Sequence, residues 1–299
     1  MKLIYFRGHV PNFGDELNLY LWDRLLPPGF LDENEEELFL GVGSILWDSL
    51  PRTARKYVMG SGYAGYTALP DVHDGSWDIV FVRGPETARM LGLPPQKAIC
   101  DSAILLRALE LPAAAAPCDV AFMPHYESLD RGLWEEACRV AGIPLIDPRG
   151  DVEVIISRIR GARMIITEAM HGAIVADALR TPWVAVKPIN PGHHQKWRDW
   201  SGALAMEVRF RDLRPSSLME LYVGLTGGRG DPNGRAGKLS RSFWARPANK
   251  VLVRRAAAQL QRLAGAEPQL SEDRQVAGAT ERALDALHAF VHSRQLSVR

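Results

Sequence analysis

Cysteine is scarce in this 299-residue chain, and charge of one sign does not dominate it. The formal net charge is +1, which argues against a nucleic-acid-binding protein, since such proteins usually carry a basic excess. The cysteines show no CxxC spacing and no neighbouring histidine ligands, so we predict neither a disulfide framework nor a metal site. The three are Cys100, Cys118 and Cys138.

Long apolar runs are also absent. No stretch approaches the roughly 20 residues that span a bilayer. Near the amino terminus the strand-like run 2–6 is broken by Arg7, whereas a secretory signal needs about 7 to 15 apolar residues. We therefore expect a cytoplasmic protein, either free in the cytosol or at the inner face of the inner membrane.

What is present is an alternation of short apolar runs and helical patterns over the first two-thirds, which is typical of α/β domains with parallel sheets. We predict two α/β domains, residues 1–116 and 117–226, joined at the proline-bounded alanine run 111–117. Residues 227–299 are predicted to form a glycine-rich loop and C-terminal helices that pack on the body. The alternative for these helices is a surface for membrane or partner contact.

Polar residues follow the first strand of the predicted sheet. Asn12, Gly14, Asp15 and Glu16 stand between that strand and a helix, where they form either a helix cap or a binding loop. Asp101 offers the same two interpretations at a later strand end. Ligands of parallel α/β sheets bind outside the carboxyl ends of the strands.

A glycine loop and an arginine complete the candidates of the first domain. Gly60, Ser61 and Gly62 open a GxGxxG run, but it follows the third strand and lacks a well-placed acid, which disfavours a dinucleotide site. We expect its backbone N–H groups to approach some other anion. Arg83 ends the next strand, where it binds either an anion or a neighbouring acid.

The strongest group follows the apolar run 164–166. Glu168, His171 and Gly172 stand where a strand passes into a helix of small residues, and histidine is the side chain best suited to proton transfer near neutral pH. Past the next strand lies a cluster that suits a phosphorylated, carboxylated substrate, with a solvated basic loop as the alternative. It comprises Lys187, His193, His194, Lys196, Trp197 and Arg198.

In their order along the chain, these motifs resemble the polysaccharide pyruvyl transferase family, and most closely the branch that adds pyruvate ketals to exopolysaccharides such as succinoglycan. The resemblance covers about residues 1–205. The motifs that carry it are Asn12-x-Gly14-Asp15-Glu16, Gly41-Val42-Gly43, Gly60-Ser61-Gly62, Val82-Arg83-Gly84, Cys100-Asp101-Ser102-Ala103 and Glu168-Ala169-Met170-His171-Gly172.

The resemblance implies two Rossmann-like domains in a GT-B-like arrangement, with phosphoenolpyruvate as donor and no further cofactor. It implies a lipid-linked oligosaccharide or polysaccharide as acceptor. His171 would be the central catalytic or donor-binding residue, Glu168 would orient it or act as base, and Arg83 would bind the donor's anionic groups. Further donor-binding residues are expected among Lys187, Lys196, Arg198, Gly60, Ser61 and Gly62. Acceptor or loop residues are expected among Asn12, Gly14, Asp15, Glu16, Asp101 and His125.

One position departs from the family pattern. Many members have an arginine two residues before the histidine, where this chain has Ala169. Either the donor geometry differs, or another cation supplies that charge, the candidates being Arg83, Lys187, Lys196 and Arg198. Two other functions stay open: a GT-B-type nucleotide-sugar glycosyltransferase, and a non-catalytic subunit of a polysaccharide-assembly complex, which Ala169 favours.

Overall fold

The computed structural model describes residues 1–189, 192–227 and 230–297, with the side chain of Ser297 left out. The chain forms two compact units that are each discontinuous in sequence. The first unit comprises Met1–Leu111, Gly192–Val208 and Ser271–Arg299, and the second comprises Pro112–Pro191 and Arg209–Leu270.

The first unit contains a parallel sheet of four strands in sequence order: β1 (Lys2–Ile4), β2 (Glu37–Leu40), β3 (Arg55–Met59) and β4 (Trp77–Phe81). Both faces of the two central strands are mostly buried, as expected of a parallel sheet. Leu38 and Val58 face one core cluster, whereas Phe39 and Tyr57 face Phe290, with ring centroids 6.3 and 5.2 Å away.

The α-helices described in this unit pack with the sheet, together with two short 3-10 helices, Pro95–Lys97 and Ser102–Ala108. The α-helices are α1 (Phe13–Leu25), α2 (Pro85–Met90), α7 (His193–Ala203) and α11 (Asp273–Ser297). Apolar residues recur at helical spacing along the last helix and form a buried stripe that includes Val276, Ala283 and Leu287. This stripe draws the end of the chain back onto the first unit.

The second unit contains β5 (Cys118–Met123), β6 (Ala162–Thr167), β7 (Trp183–Val186) and β8 (Phe210–Arg211), parallel and adjacent in that order. The backbone N–H of Phe122 donates to Pro144 O at 2.9 Å, and its carbonyl accepts from the N–H of Ile146 at 2.8 Å. In a parallel sheet both backbone groups of one residue point to the same side, so residues 144–146 flank β5 on the side away from β6. Strand order therefore reverses at β5, which makes the carboxyl ends of β5 and β6 a topological switch point.

The helices of the second unit complete its core. Val253 and Leu260 pack with Phe122 and Trp134 in one buried cluster. The helices are α3 (Tyr126–Arg131), α4 (Trp134–Ala141), α5 (Val152–Gly161), α6 (Met170–Ala178), α8 (Leu218–Thr226), α9 (Arg235–Ser240) and α10 (Arg246–Ala264).

The α/β class is confirmed by the two parallel sheets. The GT-B-like arrangement stays a prediction. The chain first passes between units within the predicted linker 111–117, but the units divide the chain differently from the predicted domains, because 192–208 and 271–299 belong with the first unit. Of the predicted loop at 227–234, residues 228 and 229 lie outside the described residues. No helix in the described ranges is long and apolar enough to cross a membrane.

Candidate active site

Arg83 lies at the carboxyl end of the first sheet and is completely buried. Its Nε donates to Asp199 Oδ2 at 2.9 Å, one terminal nitrogen donates to Ser44 Oγ at 2.7 Å, and the other donates to the carbonyl of Tyr63 at 3.2 Å. Asp199 also accepts from the backbone N–H and the hydroxyl of Thr87 at the start of α2. The predicted anion-binding arginine is therefore paired with an acid of its own unit, the other interpretation that the sequence left open.

The glycine loop is filled in the same way. The N–H of Gly60 donates to Phe81 O and that of Gly62 to Gly43 O, both at 2.9 Å. A Cβ on Gly62 would lie 2.1 Å from Arg83 Cζ. The space beside this loop is therefore occupied by the Arg83 guanidinium and not by a donor. The backbone N–H groups of both glycines already donate hydrogen bonds within the protein. Ser61 is buried too, with its hydroxyl donating to Gly41 O.

The other first-domain candidates serve mainly as caps and turns. Asp101 is buried and accepts from the N–H of Ala103 at the start of a short helical turn. Asn12 donates to Asp15 Oδ2 at 2.7 Å. Asn12 and Glu16 also line a cavity of about 230 Å³ at the carboxyl end of β1, and Gly14 is buried in the first turn of α1.

The turn from β6 into α6 is built by two small contacts. The hydroxyl of Thr167 bonds both the N–H and the carbonyl of Ala169. Gly172 allows the helix to approach the strands, because a Cβ there would lie 2.5 Å from Thr167 Oγ1 and 2.8 Å from Met123 Sδ. The start of α6 thus lies against the ends of both β5 and β6, at the switch point.

His171 occupies the first turn of α6, and its side chain is half-buried. Ala169 stands at the N-cap position and provides no side-chain cap. A helix N-terminus favours negative charge, and a histidine there can exchange a proton with an anionic ligand. The predicted centre of the site therefore lies at the edge where the fold binds ligands.

Glu168 is buried beneath the loop that follows β5. Its Oε2 accepts from the backbone N–H of His125 at 2.9 Å, and Ser128 and the N–H of Ile189 also bond to it. Burial raises the pKa of this carboxyl, while these hydrogen bonds and the charge of Arg131 oppose the rise. Glu168 therefore joins the loops at the ends of β5, β6 and β7.

A cavity of about 160 Å³ adjoins Glu168. Its charged lining comprises Glu168, Glu220, Lys187 and Arg214, and its walls are otherwise mostly apolar. A small pocket with a few convergent polar groups is the usual form of a ligand site. Acids and cations at one cavity can hold an anion and move a proton beside it.

Comparison with known proteins identifies the family of this chain. The family model described as polysaccharide pyruvyl transferase matches residues 12–189, more than half of the chain. The chain belongs to this family. It is also 42% identical over 226 residues, 75% of this chain and 71% of the relative, to the succinoglycan biosynthesis protein ExoV of Rhizobium meliloti (strain 1021).

The matched range includes Arg83 and the switch point, but it ends before Asp199, the partner of Arg83, and before α8, which carries Glu220. Glu220 is buried and accepts from Trp134 Nε1 at 2.6 Å and from the N–H and hydroxyl of Ser216, each at 2.7 Å. Burial raises its pKa to about 7, with Glu168 contributing to the rise. Sequence reasoning missed this residue, although Ser217 and Glu220 have the spacing of a capping box.

The predicted basic cluster is divided between the two units. Lys187 follows β7 in the second unit, while Lys196 and Arg198 lie on α7 in the first. Lys196 Nζ lies 5.5 Å from the centre of the Tyr66 ring, and Arg198 Nε lies 3.7 Å from Glu86 Oε1. Only Lys187 of these three lines the cavity beside Glu168.

The described residues give no support to a metal centre. No group of three or more His, Cys, Asp or Glu side chains among them could hold a metal ion. The three cysteines are free, and burial raises the pKa of the Cys138 thiol to about 12, so that sulfur is a poor ligand and nucleophile at neutral pH.

Proposed function

We propose that this chain transfers a pyruvyl group from phosphoenolpyruvate onto two hydroxyls of one sugar in an exopolysaccharide repeat unit, forming a pyruvate ketal. The observation that carries the proposal is the placement of His171 and Glu168 at the switch point of the second sheet, inside the range that matches the family. The name of the similar Rhizobium protein, a succinoglycan biosynthesis protein, supports an exopolysaccharide as the product.

The chemistry requires one proton donor and charge neutralisation. A proton adds to the methylene carbon of phosphoenolpyruvate, and C2 becomes oxocarbenium-like. One sugar hydroxyl attacks C2 and loses its proton, and the C2–O bond to phosphate then breaks. The second hydroxyl attacks C2 and loses its proton in turn. Of the two protons lost, one balances the proton that formed the methyl group and the other leaves with phosphate.

The side chains at the second sheet edge suit these steps. His171 donates the proton to the methylene carbon and is replenished by the first hydroxyl. Glu168, whose pKa is raised by burial, orients the site or accepts the second proton. Lys187 and Arg214 at the cavity neutralise the carboxylate and phosphate. Arg214 thereby supplies the cation that Ala169 does not.

Other predicted assignments accompany this proposal. Lys196 and Arg198 stay predicted donor-binding residues on the first unit. Asn12 and Glu16, at the cavity after β1, stay predicted acceptor residues, and Asp15, Asp101 and His125 act through the loops they hold. The GT-B-like arrangement and the cytoplasmic location also stay predictions.

The test is incubation of the purified chain with phosphoenolpyruvate and candidate lipid-linked oligosaccharides, following phosphate release and the pyruvyl mass on the glycan. Replacing His171 with Ala should reduce phosphate release by about 10²- to 10⁴-fold, the range of general acid–base catalysis. His292→Ala, an exposed histidine on α11, is the matched control and should retain activity. Turnover of a sugar nucleotide, with none of phosphoenolpyruvate, would instead establish a glycosyltransferase.

A further inference from the structure

Large apolar side chains are exposed on three elements of the second unit that follow one another in sequence. Trp244 is 85% exposed, Leu225 79%, Leu239 70% and Phe243 68%, although side chains of this kind are usually buried. They lie on α8, α9 and the short turn Phe243–Ala245 that leads into α10. We call these four side chains, with the cations described next, the amphipathic surface.

The same part of the chain is strongly basic. Residues 232–266 contain eight lysines and arginines and no aspartate or glutamate. The five cations nearest the exposed apolar side chains in sequence are themselves exposed. They are Arg235, Lys238, Arg241, Arg246 and Lys250.

The exposed apolar side chains lie on helices and a turn that are held in place by hydrogen bonds and packing. Asn249 of α10 accepts from the N–H of Leu218 at 2.9 Å and donates to the carbonyl of Ser240 at 2.7 Å, which ties α8, α9 and α10 together. On α10, Val253 faces the core of the unit. The buried faces of these helices are thus already used, and the apolar side chains on the surface have no role in this core.

The combination of exposed cations with exposed apolar side chains favours one kind of partner, an anionic surface with an apolar interior. Eight cations in a stretch of 35 residues without an acid favour an anionic surface, because cations near an anionic leaflet are attracted to it. Exposed Trp and Phe prefer the boundary between headgroups and acyl chains. The Arg246 guanidinium lies 5.5 Å from the centre of the Phe243 ring, so a cation and an aromatic side chain are presented together.

We propose that the amphipathic surface docks this protein onto an anionic phospholipid membrane. Leu225 belongs both to this surface and to the lining of the cavity beside Glu168. Docking therefore brings that cavity close to the bilayer. If the proposed function holds, a lipid-linked acceptor reaches the site from the membrane, but the docking itself does not depend on the reaction.

The test is flotation of the full chain with phosphatidylcholine vesicles that contain or lack phosphatidylglycerol. We expect binding only to the anionic vesicles, weakened at high salt because exposed charges are screened. The double variant Phe243→Ala/Trp244→Ala should reduce the partition coefficient at least about tenfold. Charge reversal in Arg235→Glu/Lys238→Glu should do the same. Brominated acyl chains should quench tryptophan fluorescence in the native chain and not in Trp244→Phe.

Matched controls lie on other elements of the chain. Arg139→Glu/Arg163→Glu reverses two cations whose side chains are 74% and 67% exposed, and Leu69→Ser alters an exposed leucine of the first unit. Both controls should float like the native chain.

The proposal is overturned if the native chain stays unbound with anionic vesicles, or if Phe243→Ala/Trp244→Ala binds undiminished. It is also overturned if that variant instead dissociates an oligomer, which would make the surface an interface between copies. Turnover of a soluble acceptor, measured without vesicles, separates failure of docking from failure of the proposed reaction.

Discussion

The two sheets end in similar sequence patterns and use them for different purposes. After β4 the chain reads Arg83-Gly84, and after β6 it reads Glu168 and then His171-Gly172. At the first edge the charged side chain is sealed among Asp199, Ser44 and the Tyr63 carbonyl. At the second edge, Glu168 lines a cavity whose other charged lining residues include Lys187 and Arg214.

The difference teaches that a charged residue at a strand end becomes structural when an opposite charge reaches it within the same core. Asp199 arrives on α7, a helix that lies far along the chain yet packs in the first unit. Gly84 admits it, since a Cβ there would meet the Asp199 backbone. At the second edge Glu168 accepts hydrogen bonds from N–H and hydroxyl groups and lies in the field of the Arg131 charge, but unlike Arg83 it also adjoins a cavity.

We expect the largest effect from a substitution that breaks the Arg83–Asp199 ion pair at the first sheet edge. Asp199→Ala leaves the buried Arg83 charge unpaired and should lower the free energy of unfolding by about 3 to 5 kcal/mol, measured by urea denaturation. In the cycle with Arg83→Met, the double variant should recover much of this loss. Asp119→Ala, which removes the exposed partner of Arg163, is the control and should cost less than about 1 kcal/mol. Equal losses in the two variants would show that the Arg83 network is not a structural lock.

A smaller effect at the second edge is the pH dependence of stability that Glu220 produces. The pKa of Glu220 in the folded chain is about 7, against an ordinary value of 4.5, so the folded state holds this proton where the unfolded state has lost it. The free energy of unfolding should therefore fall as pH rises from about 4.5 to about 7, by at most about 3 kcal/mol, and this contribution should be constant above that window. The raised pKa of Glu168 acts in the same direction.

Glu220→Gln removes the titration, so the free energy of unfolding of this variant should change less between about pH 5 and pH 8 than that of the native chain. Urea denaturation midpoints measured across this range test the expectation. The comparison concerns the pH dependence, because the new amide meets Trp134 and Ser216 donors and lowers stability at every pH. Glu281→Gln, an exposed position on α11, should follow the native profile. An unchanged slope in Glu220→Gln would refute the raised pKa.

The smallest effect concerns glycine. Gly62→Ala places a Cβ against the Arg83 guanidinium and should destabilise the chain by about 1 to 3 kcal/mol through overpacking. Gly224→Ala, on α8 with open space around the new Cβ, should be neutral or stabilising by up to about 1 kcal/mol. Thermal melting of both variants tests this, and a stable Gly62→Ala would mean that the loop has room for a ligand after all.

Local patterns predicted much of this molecule. Alternating runs indicated the α/β class, and the apolar stripe of α11 and the strand-to-helix turn at His171 were placed correctly. The pairing of Arg83 with Asp199 joins residues 116 positions apart, and nothing in the local sequence specifies such a contact. The return of α7 and α11 to the first unit, and the burial of Glu220, likewise depend on tertiary packing that no short motif encodes.

The central claim is that the second sheet edge performs the chemistry and the first holds the fold. The direct test measures kcat/KM for phosphoenolpyruvate in His171→Gln and Arg83→Lys, side by side, at a temperature where circular dichroism shows both folded. We expect kcat/KM to fall about 10³-fold in His171→Gln and less than about threefold in Arg83→Lys, in which the main loss is one of stability. A near-native His171→Gln, or a collapse of kcat/KM confined to Arg83→Lys, would contradict it.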